Sequence, residues 1–175
     1  MKLLIASDIH GSAEYCQRLI EAVKREIPTK VLLLGDLLYH GPRNNLPVGY
    51  APKEVAAMLN EIKGKLICVR GNCDSEVDQM MLDFPVLSDS AVLCWEGMTI
   101  YATHGHHEFP ALQPGEVVLS GHTHVPVDYV KEGIRYLNPG SVSIPKEESW
   151  HGYMVLENGN FTWKNLDGEV QKIEK

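Results

Sequence analysis

The chain has no apolar run approaching the roughly 20 residues that a membrane-spanning helix needs, so no membrane partner is expected. Its opening stretch, Met1-Lys2-Leu3-Leu4-Ile5-Ala6-Ser7-Asp8, superficially resembles a leader, with one cation and a short apolar run. It leads straight into Asp8 and His10, however, and reads as a strand. Closely spaced cysteines are also missing. Cys16, Cys68, Cys73 and Cys94 are scattered, which argues against a disulfide frame or a thiolate metal site and for reduced thiols in a cytoplasm. Positive charge is scarce too. Sixteen Lys and Arg against 23 Asp and Glu give a net charge of −7, which disfavours a broad nucleic-acid-binding surface. A phosphate substrate stays open, because bound divalent ions would invert the local potential. With no repeat, low-complexity tract or linker, the 175 residues read as a single domain over 1–175, large enough to bury a core.

What is present falls into two halves. Lys2–Ser7, Val31–Leu34 and Leu66–Val69 are short aliphatic runs that read as buried strands. Tyr15, Leu19, Ile20, Val23 and Ile27 recur at helical spacing up to Pro28. Val55, Met58, Leu59 and Ile62 do the same after Pro52, and a short helix is expected near Glu76–Leu82. The pattern βαβαβ implies parallel strands. The second half carries Glu96-Gly97, Glu132-Gly133, Asn158-Gly159 and Asp167-Gly168, turn dipeptides between strand-like runs, so it reads as β with hairpins. Two packed sheets with helices outside is the simplest architecture.

Seven residues of metal-ligating type stand just after these apolar runs: Asp8, His10, Asp36, Asn72, His104, His122 and His124. The two-residue spacing of Asp8 and His10, repeated by His122 and His124, lets each pair reach one ion. Asp36 has two oxygens and could bridge two ions, with Gly35 allowing a close approach. Asn72 offers a neutral amide oxygen. Seven donors are too many for one ion and suit two, and imidazole with oxygen ligation suits Mn, Fe, Zn, Ni or Co. Each piece alone has a bland reading: Asp8-x-His10 as a salt bridge, Gly35-Asp36 as a turn, Asn72 as a cap. The weight rests on their conjunction and order. His40, His106, His107 and His151 read as surface or supporting groups, Arg43 as a surface residue that could reach a phosphate, and Asp74 as a helix cap foremost or else as a group that orients a site residue.

Asp-x-His, Gly-Asp, Gly-Asn-x-Asp, His-Gly-His and Gly-His-Thr-His, in this order, resemble the calcineurin-like metallophosphoesterase superfamily. The segments His40-Gly41-Pro42-Arg43-Asn44, Val69–Met80 and Leu137–Lys146 resemble its small single-domain phosphodiesterases of the YfcE type. This resemblance implies an α/β fold, a four-layer αββα sandwich of two mixed β-sheets flanked by helices. It implies two divalent ions, Mn foremost. One would be held by Asp8, His10, Asp36 and His124, the other by Asp36, Asn72, His104 and His122. It further implies a hydrolase acting on a small phosphodiester, with Asp36, Asn72, His104 and Cys73 in the catalytic centre and Arg43 and Asn72 against the substrate.

Cys73 is a departure, since many relatives carry histidine there as acid or phosphate ligand. A thiol is a weaker acid and donor near neutral pH. Two other readings stand beside the diesterase: a phosphomonoesterase, and a catalytically weak protein-binding scaffold like the retromer subunit of this superfamily. The loops Leu37–Tyr50 and His106–Pro114 are expected to shape specificity. Apolar loop residues Leu46, Val48, Tyr50 and Phe109 make a homo-oligomer conceivable.

Overall fold

The computed structural model describes residues 1–173. The elements run β1 (Lys2–Ala6), α1 (Ala13–Glu26), β2 (Lys30–Leu33), α2 (Pro52–Glu61), β3 (Leu66–Cys68), α3 (Glu76–Met81), β4 (Ser90–Trp95), β5 (Met98–Thr103), β6 (Val117–Leu119), β7 (Val127–Lys131), β8 (Ile134–Asn138), β9 (Gly152–Glu157), β10 (Asn160–Asn165) and β11 (Val170–Gln171). Ser12 caps α1 by accepting from the Tyr15 N–H, and Ile27 ends it in a left-handed turn before Pro28. Pro52 opens α2 without an N–H to waste.

Two mixed sheets stack face to face, as expected. The first has the order β11-β10-β9-β1-β2-β3 and the second β4-β5-β6-β8-β7. Strands β1, β2 and β3 are parallel, and β9 runs antiparallel beside β1. The four turn dipeptides all join antiparallel neighbours, β4–β5, β7–β8, β9–β10 and β10–β11. The second half is nevertheless more than hairpins. Strands β5, β6 and β8 pair in parallel, and β9 to β11 return to the first sheet. Those pairings join residues far apart in sequence, so no local turn signal announces them.

Two cores result. Leu3, Ile5, Leu32, Leu34, Ile100, Leu119, Leu137 and Met154 fill the space between the sheets. The opposite side chains of β1 and β2, such as Leu4, Val31 and Leu33, pack with Leu19 and Val23 of α1 and Leu59 of α2. Among the described residues the α-helices all precede β4, and no helix is long and apolar enough to cross a membrane. The ends of β1, β2, β3, β5 and β6 lead directly into the loops that carry the seven ligand-type residues, so the fold gathers them along one rim.

Candidate metal centre

Five of the seven stand in the left-handed backbone region: Asp8 (φ 60°), His10 (49°), Asp36 (57°), His122 (68°) and His124 (63°). Non-glycine residues avoid this region, at a cost of order 1–3 kcal/mol each, and persist there only where neighbours fix them. The neighbours are visible. The Asp8 N–H donates to the Gly35 carbonyl at 3.1 Å and the His10 N–H to the Asp36 carbonyl at 2.9 Å, lacing the first two loops together. The Asp8 carbonyl accepts from the hydroxyls of Ser141 (2.8 Å) and Ser143 (3.1 Å). A Cβ on Gly71 would collide with Asp36, and one on Gly121 with Ser7, so both glycines are required by close approach.

The imidazoles are oriented from behind. Nδ1 of His10 lies 2.9 Å from the Tyr39 carbonyl, that of His104 2.6 Å from the Leu34 carbonyl, and that of His124 2.6 Å from the Ile144 carbonyl. A carbonyl only accepts, so each Nδ1 carries a proton and each Nε2 faces the site, where it can ligate a metal once free of its own proton. There, His10 Nε2 and His124 Nε2 face each other at 3.2 Å. Asp8 Oδ1 lies 3.4 and 3.2 Å from them, fully buried and without a hydrogen-bond partner. Three potential electron-pair donors converge on one point, an arrangement that favours a cation or protons among them. A proton satisfies one pair, whereas a divalent ion satisfies all three.

Asp36 stands between this trio and a second one. Its Oδ2 is 3.6 Å from His10 Nε2 and 3.4 Å from His104 Nε2, while its Oδ1 accepts the Cys73 N–H at 2.8 Å. The Asn72 Oδ1 is 3.1 Å from His104 Nε2. His122 is less constrained. Its ring lies 5.1 Å from that of His104, and its backbone N–H donates to Asp8 Oδ2 at 3.1 Å. All seven are thus brought together, six through directly facing donor atoms. Cys73 joins them, its sulfur falling in one group with His10 and Asp36.

The anionic cage draws protons onto its histidines. Burial pulls His104 down, but Asp36 and Asp8 outweigh it and push its pKa up to about 9. Burial likewise acts against ionisation of Asp8, yet His10 and His124 hold its carboxyl well below the usual carboxylate range. Burial and the Asp36 charge push the Cys73 thiol up to about 12, so it stays protonated.

A family model for the calcineurin-like phosphoesterase superfamily domain matches residues 1–160. The chain belongs to that superfamily. It is 48% identical over 162 residues to phosphodiesterase YfcE of Escherichia coli K12, covering 90% of this chain and 88% of that protein. The solved structure of the E. coli phosphoesterase YfcE superposes with a TM-score of 0.93 at 44% identity, over 97% of this chain and 96% of that one. The zinc complex of Vps29 from Entamoeba histolytica has a TM-score of 0.63 at 20% identity, over 98% and 96% of the two chains, and shares the fold alone. The chain is thus a YfcE homologue with a metallophosphoesterase domain, a family whose name implies divalent metals.

A cavity of about 410 Å³ opens onto this centre. Asp36, Asn72, His122 and His124 line it, together with Arg43 and Lys146, a cation the sequence reading did not single out. The 106–114 loop expected to shape it lines neither this cavity nor its neighbour described below. Asp74 takes the second of its two expected roles, not the cap. Ser75, in a capping box with Asp78, caps α3 instead. The Asp74 carboxylate turns inward and accepts the N–H groups of Asp36 (2.8 Å), Leu37 (2.8 Å) and Gly71 (2.7 Å). His151 is structural, stacked on Tyr15 and donating to the Val142 carbonyl.

Proposed function

We propose that the chain hydrolyses a small phosphodiester at a centre of two divalent ions, manganese foremost, with iron, zinc, nickel or cobalt as alternatives. Asp8, His10, Asp36 and His124 would hold one ion, and Asp36, Asn72, His104 and His122 the other. The observation that carries this reading is the convergence of His10 Nε2, His124 Nε2 and Asp8 Oδ1 on one buried point, three atoms that can all donate electron pairs to a cation. Bound ions would supply Lewis acidity, neutralising phosphate charge and lowering the pKa of water.

The chain's own side chains would do the rest. Arg43 and Lys146 place two cations in the cavity, where they would bind and orient the phosphate oxygens through charge-assisted hydrogen bonds. The Asn72 amide would position a further oxygen. The protonated Cys73 thiol is a weak donor, so the leaving oxygen would receive little acid help. A phosphomonoesterase is the second reading, favoured by those two cations, which would suit a dianion.

The test is to strip the protein with a chelator, reload it with manganese, and compare bis(4-nitrophenyl) phosphate with 4-nitrophenyl phosphate while measuring bound metal. About two ions per chain and faster diester hydrolysis are expected. Faster monoester hydrolysis would select the second reading. Full loading with no hydrolysis of either would leave a scaffold.

A further inference from the structure

Beside the metal cavity lies a second one of about 400 Å³, and Cys73 lines both. Its walls are mostly apolar: Leu38, Tyr39, Tyr50, Pro52, Val77 and Met81, with Lys53 and Asp78 also on its lining. Three of these side chains are left open to solvent, Tyr39 at 42%, Val77 at 66% and Met81 at 44%. They contribute little to the core, so their burial awaits something else.

The cavity is built from the same backbone as the metal centre. The Tyr39 carbonyl accepts from His10 Nδ1 at 2.9 Å. Tyr50 pairs with Ser12 across an isolated bridge, and the Ala51 N–H donates to the Gly11 carbonyl at 2.8 Å. The Tyr50 ring occupies the space that a Cβ on Gly11 would need. The backbones of Tyr39 and Tyr50 are thus tied to the loop at 9–12 that carries His10.

We infer that this second cavity receives the esterifying group of the phosphodiester, and that the group it takes is a flat aromatic ring. This rests on the phosphodiesterase reading above. Cys73 lines both cavities, so the substituent of a phosphate in the metal cavity would pass Cys73 toward Tyr39 and Tyr50. Two tyrosine rings offer edge and offset contacts that an aromatic ring fills better than a chain. The Met81 thioether adds a soft sulfur contact favourable to ring edges. The volume accommodates one ring, or two fused, with most of its surface buried.

The test uses the zinc-loaded protein and four probes: methylphosphonate, hexylphosphonate, phenylphosphonate and benzylphosphonate. Binding is read by calorimetry and by the NMR signal of a ¹³C-labelled Met81 methyl, assigned through Met81→Leu. At least one aryl probe should bind roughly 10-fold or more tighter than methylphosphonate, from burial of one ring. The same probe should move the Met81 signal by its ring current, which methylphosphonate should not do. Val77→Asp, at an exposed position that tolerates charge, should collapse the aryl-to-methyl ratio, and Met81→Ala should reduce it. Equal binding of all four probes, or an unmoved Met81 signal, overturns the subsite. Hexylphosphonate binding as tightly as the aryl probes overturns the ring. Diester hydrolysis without aryl preference would sink the subsite alone. Absence of any metal-dependent diester hydrolysis would sink the phosphodiesterase reading and the subsite with it.

Discussion

Asp74 accepts the backbone N–H of Asp36 at 2.8 Å, although 38 residues separate them. The same carboxylate oxygen takes the Gly71 N–H, and the other takes the Leu37 N–H. One buried side chain therefore binds the loop after β2 to the loop after β3, the two loops that carry Asp36 and Asn72. Asp74 is thereby placed to position the proposed metal centre.

Asp74→Asn isolates that role. The amide oxygen can keep two of the three bonds, but its NH₂ must then face the Leu37 N–H, donor against donor. A buried donor left in that state costs about 1–3 kcal/mol. The melting temperature should fall measurably, and manganese should bind about 10-fold or more weakly, following the 10- to 100-fold typical when a partner behind a ligand is lost. A variant with unaltered manganese affinity would show that the three bonds serve the fold only.

In the proposed centre, protons and metal would compete for the same atoms. His104 is pushed up to about 9 by Asp36 and Asp8 against its burial, and Asp8 raises His10 in the same way. Below pH 9, metal entry must displace the proton on His104. Apparent manganese affinity should therefore rise with pH between 6 and 9, by about a decade per unit for each proton released. Thermal shift shows the same sign: a fixed excess of manganese should raise the melting temperature more at pH 8 than at pH 6. A pH-independent shift would mean that His104 is not a ligand.

Remote from the site, Glu26 on α1 accepts from Tyr153 Oη (2.9 Å), Lys164 Nζ (2.7 Å) and Lys2 Nζ (3.2 Å). Burial acts to raise its pKa, but the three donors win and lower it. A carboxyl depressed in the folded state stabilises fully above its unfolded value near 4.5 and loses that contribution as pH falls through its folded value. Glu26→Gln should cost about 1–3 kcal/mol at pH 7, with the gap to wild type closing in acid below pH 4.5. Urea unfolding at pH 7 and pH 3.5 reads both values. An equal gap at the two pH values would show that shape, and not charge, matters at Glu26.

How much of this was legible in the sequence follows from how local each signal is. Asp8, His10, Asp36, Asn72, His104, His122 and His124 follow apolar runs directly, and strand ends sharing one rim bring them together. The turn dipeptides mark every hairpin for the same reason. Ser141 and Ser143 were not legible as supports, and for Asp74 a supporting role stood second to a cap. Their partners are the backbones of Asp36 and Asp8, tens of residues or more away, and an Asp before a short helix looks like a cap until Ser75 is seen doing that work. Lys146 and the Tyr39–Tyr50 cavity were hidden likewise, since which loop faces the centre depends on packing. The loop at 106–114 looked as suitable as the loop at 37–50.

Cys73 offers the sharpest test of how the centre handles a leaving group. Its thiol is pushed up to about 12 by burial and by Asp36, so it holds its proton and donates weakly. Nitrophenolate leaves without help, whereas an alkoxide needs a proton in the transition state, worth about 10²–10⁴-fold. Cys73 lines both cavities, so one side of it is open space. On the other side a Cβ at Gly41 would already stand 3.0 Å from its sulfur, which leaves no room for a larger group there. Cys73→His should therefore turn its ring into the open side and supply an imidazole of useful acidity. Turnover of methyl or ethyl diesters should rise relative to nitrophenyl diesters, and the gain should fade above the imidazole pKa. If the two substrate classes slow together with both metals retained, the ring has crowded the site and Cys73 is a packing residue. If the ratio shifts toward the alkyl esters with the expected pH profile, the native thiol is what limits the enzyme to good leaving groups.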